Sequence, residues 1–230
     1  MRSFELVDTK VAEADFFLKK LSQCGFNLFE LSCYLSAFVS SSRSTTFSLQ
    51  SVMKGHDDFD GWYKQHQEIM KTDKLSKFFN NFRRVSQHIG VSPYGGGEFS
   101  DNKILHYFGS SKDLPDVPKE DIITSCNNYF TSVVELIYDA YLIFGASIDA
   151  QQYFTSSNFV TLGKTIEDAE EELGLPRGWT DIGDPDAEEY RWEALRNTTT
   201  GCEINHIFEQ YLNKIIACSD KLPPYVPKNS

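Results

Sequence analysis

The stretch "DKLSKFFNNFRRVSQHIG", residues 73–90, decides the fold. Asp73 is a good N-cap residue and Gly90 a good stop, so a helix is predicted between them. At about 100° per residue with Phe82 as centre, Leu75, Phe78, Phe79, Val85 and Ile89 fall within about 60° of it. That stripe is the buried side of an amphipathic helix. Asn80, Arg84, Gln87 and His88 fall on the far side, and Arg83 on a flank at about 100°.

Working outward, "DDFDGWYKQHQEIMK" predicts a preceding helix that begins near Asp57 or Asp58, whose carboxylate suits an N-cap. Residues 27–54 contain no Gly or Pro and predict one long helix, with a Ser/Thr-rich middle expected to bend or loosen it. Residues 9–24 carry Val11, Ala14, Phe17, Leu18 and Leu21 at helical spacing, with Gly25 as a stop. Four helices joined by short links imply an antiparallel bundle. A long apolar helix over 119–145 is expected as its fifth member.

"GVSPYGGGEFS", residues 90–100, reads as a loop or hairpin tip, and "KILHYFGS" after it as a short strand or irregular segment. Shorter helices are predicted near 164–173, 186–197 and 203–216. The expected fold is all-α: a bundle of four to five helices over 1–146, and a helical extension packed on it over 147–230. The Pro-rich end, about 220–230, is expected to be a mobile tail.

Net charge is −11, which opposes general nucleic-acid binding. The charge is uneven. Residues 60–90 hold six basic side chains against three acidic, whereas 166–193 hold eleven carboxylates against two arginines. The acidic run reads as a solvated face or as a contact surface for the basic segment or a partner. Five cysteines with no CxxC pair suit a reducing compartment, and the charged first residues do not look like a leader. A cytoplasmic location is expected from the cysteines; the most apolar run, "VVELIYDAYLIFGA", is broken by Glu135 and Asp139 and too short to span a bilayer, so no membrane segment is expected.

The polar face of the 74–89 helix carries amide, guanidinium and imidazole groups and no carboxylate. A solvated face usually mixes signs to gain i,i+4 pairs. An uncompensated strip suits an anion, and a phosphate-facing site stands beside a solvated or interhelical polar face as the readings.

The pattern Arg83-x4-His88 in "RRVSQH", near the end of a fourth helix, resembles the Rx4-6H motif of the HEPN superfamily of all-α domains. Glu30 and Arg43 on the long second helix fit as buried or cleft-facing polar residues, and the resemblance covers residues 9–145. It implies a metal-independent ribonuclease, of the toxin or antiviral-defence type, working as a homodimer. His88 would act as general base on the 2'-hydroxyl or as general acid on the leaving oxygen. Arg83 would stabilise charge on the phosphorus, and Arg84, Asn80 and Gln87 would bind substrate.

Gly90 stands two residues past the histidine, where members regulated by nucleotidyl transfer carry a tyrosine, and Tyr94 is not an equivalent. Arg83 and His88 lie about 140° apart on one helix. A two-fold dimer that brings Arg83 of one copy to His88 of the other would reconcile this with a shared ligand. The resemblance implies RNA as substrate and leaves room for an antitoxin or regulatory protein partner. The rival is a non-catalytic helical module that binds a protein or a nucleotide.

No cofactor or metal is implied, since Cys202 and His206 in "GCEINH" are two ligands and not a zinc site. "DIGDPDAEE" reads as a turn before a helix, and "YGGGEF" lacks the GK[ST] of a phosphate loop. "LPRGWTDI" and "EYRWEALRN" read as a packed C-terminal layer, with base stacking by their tryptophans as the alternative.

Overall fold

The computed structural model describes residues 1–88, 93–100 and 103–217. The fold is all-α in class with one two-stranded hairpin among the described residues. The chain forms two compact units. One comprises Glu5–Ile137 with Gln210–Asn213. The other comprises Met1–Phe4, Tyr138–Glu209 and the chain from Lys214.

The first unit opens with α1 (Glu5–Leu21) and α2 (Leu28–Met53). Asn27 caps α2 by accepting from the Glu30 N–H at 3.2 Å. Val7, Val11, Ala14 and Leu18 of α1 are buried, as are Leu31, Leu35, Phe38 and Leu49 of α2, and the two helices pack together. The serines and threonines do not loosen α2, which runs unbroken. Ser41, Ser42, Thr45, Thr46 and Ser48 are buried, and Thr45 and Thr46 return their hydroxyl protons to the carbonyls of Ser41 and Arg43. Small side chains turned inward let a neighbouring element approach closely, and back-bonding satisfies the Thr45 and Thr46 hydroxyls without solvent, whereas the Ser42 hydroxyl is buried without a partner among the described residues.

Next come α3 (Phe59–Thr72) and α4 (Lys74–His88). Asp58 occupies the N-cap of α3, but in the left-handed region (φ 64°) and with no side-chain cap bond, so the expected carboxylate cap is corrected there. Asp73 does cap α4, accepting from the Ser76 N–H at 2.6 Å. Phe78, Phe79, Phe82 and Val85 are at most 5% exposed, which is the expected core stripe except for Leu75, which is half-buried; Ile89 and the Gly90 stop lie outside the described residues. Edge-to-face and stacked rings join this stripe to Phe38 of α2, at 6.3 Å from Phe79, and to Tyr129 at 4.5 Å.

The glycine-rich stretch is a strand and not a tip. β1 (Tyr94–Ser100) pairs antiparallel with β2 (Lys103–Phe108), with a register shift between Tyr94 and Gly96 that leaves Gly95 as a bulge. A Cβ on Gly95 would lie 2.6 Å from the Gly109 Cα, and one on Gly109 would lie 2.7 Å from the Gly95 Cα. The backbones cross too closely for any side chain. Phe108 sits among Phe78, Phe79 and Phe82, with centroids 4.7 to 6.2 Å away, so β2 packs on α4. His106 Nε2 donates to the Gly25 carbonyl at 2.7 Å, tying β2 to the α1–α2 turn.

α5 runs Ile122–Ile148, and the division between the units falls within it, after Ile137. It is the one described helix long and apolar enough to cross a membrane, and half of its most apolar stretch is buried inside the protein. The short apolar run seen in the sequence, residues 133–146, is thus part of a longer helix and lies mostly in its second half. The core helix of a protein can have the same length and apolarity.

The second unit continues with α6 (Ala150–Tyr153), α7 (Ser156–Thr161), α8 (Ile166–Glu172), a 3-10 turn at Pro185–Ala187, α9 (Glu188–Arg196) and the start of α10 (Asn205–Leu212), whose last residues, from Gln210, belong to the first unit. The two shortest, α6 and α7, were not expected. Its core gathers Tyr153, Phe154, Phe159, Ile166, Trp192 and Leu195. Asp184 accepts from the Asp186 N–H at 2.9 Å, which makes "DIGDPD" the turn before α9. Trp192 packs against Phe159 at 5.1 Å, whereas Trp179 is 65% exposed, so only one of the two tryptophans belongs to the packed layer.

The acidic run is largely spoken for within this unit. Arg177 pairs with Asp168 at 2.7 Å and Glu171 at 2.8 Å, and Arg191 with Glu167 at 3.0 Å. Glu170 is fully buried and accepts from the Thr180 N–H at 2.8 Å, the Thr180 hydroxyl at 2.6 Å and the Gly178 N–H. A buried carboxylate held by oriented donors fixes a loop that has little apolar surface of its own.

Candidate functional site

The residues singled out on α4 divide by environment. Asn80 and Arg84 are exposed, as their place on the helix requires. Gln87 and His88 close α4, and their side chains fall outside the described part. Arg83 does not stand clear of the core. It is half-buried, and its Nε is enclosed with no hydrogen-bond partner.

What encloses it comes from α2. The Arg83 Cζ lies 5.8 Å from the Phe47 ring centroid, and the Arg43 Cζ lies 4.5 Å from the same ring. Two guanidinium groups therefore share one aromatic platform, a cation–π geometry on both counts. Phe47 itself is 47% exposed, so the platform opens to solvent. Of the two α2 residues expected in a cleft, Arg43 is half-buried and takes part; Glu30 is exposed in the first turn of α2 and does not.

The polar surround continues into α3 and α5. Arg43 Nη1 donates to Thr46 Oγ1 at 3.2 Å, and Gln50 Nε2 donates to the Thr46 carbonyl at 3.0 Å and to Tyr63 Oη at 3.1 Å. Burial pushes the Tyr63 phenol up, while Arg43 and its hydrogen-bond partners oppose the shift. Burial pushes Tyr129 up to about 12 against the pull of Arg43 and Arg83. Both phenols are neutral donors at physiological pH and neither can serve as a base.

Neither Arg43 nor Arg83 has a carboxylate partner among the described residues. Such a pair, with unused N–H donors and an aromatic floor, can hold an anion, and planar guanidinium forks suit phosphate or carboxylate oxygens. The chemistry of proton transfer would have to come from elsewhere. His88, on the same helix, is the nearest titratable candidate in sequence. No group of three or more His, Cys, Asp or Glu side chains among the described residues is arranged to hold a metal ion.

Phe47, Tyr63 and Tyr129 were not found from the sequence. They come from three different helices, and only the Arg43 and Phe47 spacing of four residues, one helical turn, gave a local signal. No family model, curated protein or solved structure matches the chain.

Proposed function

We propose that the chain is a HEPN-like, metal-independent endoribonuclease that acts as a homodimer in the cytoplasm, in a toxin or antiviral-defence setting. The observation that carries the reading is the pair Arg43 and Arg83 over Phe47, free of carboxylates among the described residues, with Arg83 on the helix that ends in His88. An anion held there would meet two fixed positive charges. In the reaction the ribose 2'-oxygen attacks its own phosphorus as His88 takes the 2'-proton. The bond to the 5'-oxygen breaks, and that oxygen receives a proton from a general acid, leaving a cyclic phosphate and a 5'-hydroxyl. Arg83 lowers the barrier by stabilising the added negative charge. Because the nucleophile belongs to the substrate, no metal is needed.

The test is cleavage of structured and unstructured RNAs in chelator, by the wild type and by His88→Ala, with the mass in solution measured beside it. Cleavage lost in the variant and a dimeric mass are expected. Intact RNA with the wild type sinks the nuclease, and a monomer at micromolar concentration sinks the shared site.

The enclosure of Arg83 Nε favours a second reading. A guanidinium held by packing suits a non-catalytic module that binds a nucleotide or a protein. Binding of RNA without cleavage would select it.

A further inference from the structure

A groove of about 860 Å³ lies between the first half of α4 and the segment 110–119. On the helix side Lys74, Lys77, Phe78 and Asn81 recur at helical spacing and share one face. The opposite wall is "PDVPK", residues 115–119. Its two prolines restrict the backbone, and Leu114 before them is buried at 3% exposure and anchors the wall. None of Arg43, Phe47 and Arg83 lines this groove.

Its chemistry is divided. Three ammonium groups, Lys74, Lys77 and Lys119, edge it against a single carboxylate, Asp116. None of the three has an ion-pair partner among the described residues, in a chain of net charge −11. Between them the surface is apolar, made by Leu75, Phe78 and Val117 with the prolines. A small inorganic anion would use the lysines and leave this floor wet, and an apolar ligand would do the reverse.

We propose that the groove binds a nucleotide, with its phosphates on the lysines and its ring on the apolar floor. Lys74 and Lys77 are three residues apart, a rise of about 4.5 Å, so both ammonium groups can reach one phosphate group. Acidic side chains on an extended peptide recur at about 6.6 Å on one face and would not use that pair together. The volume lies within the range of small-ligand sites. The same chemistry is offered by a free nucleotide and by one unit of single-stranded RNA. The site stands whether or not the chain cuts RNA.

Binding is measured on the full chain by calorimetry with ADP, inorganic phosphate and hexaglutamate, and by fluorescence anisotropy with a labelled hexadeoxyuridylate, which lacks the 2'-hydroxyl and cannot be cut by the route above. The expected result is that ADP or the oligonucleotide binds at least tenfold tighter than phosphate or hexaglutamate. Lys74→Glu with Lys77→Glu lowers that affinity at least tenfold, and Lys119→Glu on the other wall lowers it too. The exposed Lys214→Glu leaves it unchanged. For the oligonucleotide, loss of two phosphate contacts lowers the salt slope by about 1.4. Preference for ADP marks the free nucleotide as the ligand, and preference for the oligonucleotide marks the single strand.

The proposal is overturned if neither probe binds, if phosphate or hexaglutamate binds as well as the tighter of the two probes, or if the groove variants, folded by circular dichroism, bind like the wild type. A chain that binds ADP and spares RNA refutes the nuclease and not this site.

Discussion

Replacing Glu170 by Gln tests how the acidic unit is held. The buried carboxylate accepts three hydrogen bonds, two from Thr180 on one oxygen and one from the Gly178 N–H on the other, and it faces Arg191 at 3.5 Å. An amide of the same shape must turn its NH2 group toward one of these sets of donors. At least one bond is lost, and the others drop from charge-assisted to neutral strength. At about 1.5–3 kcal/mol for a bond to a charged group and about 0.5–1.5 for a neutral one, three bonds replaced by two weaker ones lose about 5 kcal/mol. The desolvation that a buried charge no longer bears returns about 2 kcal/mol, for a net loss of about 3 kcal/mol. In a chain of this size that lowers the melting temperature by roughly 6–12 °C. The control is Glu171→Gln, since Glu171 is 55% exposed beside Arg177; an exposed pair of this kind contributes less than about 1 kcal/mol. Denaturation followed by circular dichroism at neutral pH reads both.

The pH dependence adds a second reading of the same residue. Burial pushes the Glu170 carboxyl up, but the Thr180 hydroxyl and amide, the Gly178 amide and Arg191 outweigh it, and the group is held below the usual carboxylate range. Its stabilisation is therefore complete above the unfolded value of about 4.3 and is lost as pH falls through the lower native one. The gap between wild type and Glu170→Gln should narrow below about pH 4. Equal loss from the Glu170 and Glu171 variants at pH 7, or a gap that widens in acid, refutes the reasoning.

With Tyr129 held up at about 12 against an ordinary 10, its neutral form is favoured in the fold, and stability should fall as pH rises from about 10 to 12; Tyr129→Phe should flatten that limb in an alkaline unfolding series. Gly95→Ala should disrupt the hairpin, with faster amide exchange across β1 and β2 than in the wild type; unchanged exchange rejects the close approach. Phe79→Ala removes a ring that meets Phe38, Phe108 and Tyr129 and should cost about 3–5 kcal/mol in a denaturant titration; a loss under about 1 kcal/mol rejects its place at the centre of the core.

The long helices were readable in the sequence because burial on one side repeats at a fixed angle. α2 lacks any breaker over its whole length, and α4 displays its phenylalanines on one face. The hairpin was not readable, since a strand is recognised by alternation of side chains and three consecutive glycines supply none. α6 and α7, four and six residues long, are shorter than two turns and show no period. For the site, the wheel put Arg83 correctly on a flank, but a wheel describes one helix. What lies against that flank, Phe47 with Arg43 at the same ring, is set by packing between α2 and α4 and could not be read from either alone.

The crossing of Gly95 and Gly109 restricts the ways in which this sequence can change. Each position is held empty by the backbone of the other, not by a side chain that a second substitution could trim. No exchange at one can be rescued by an exchange at the other, so the two glycines, fourteen residues apart, should be retained together or abandoned together with the hairpin. Because β2 also carries Phe108 into the α4 core, abandonment would extend to the fold around the helix on which Arg83 and His88 sit.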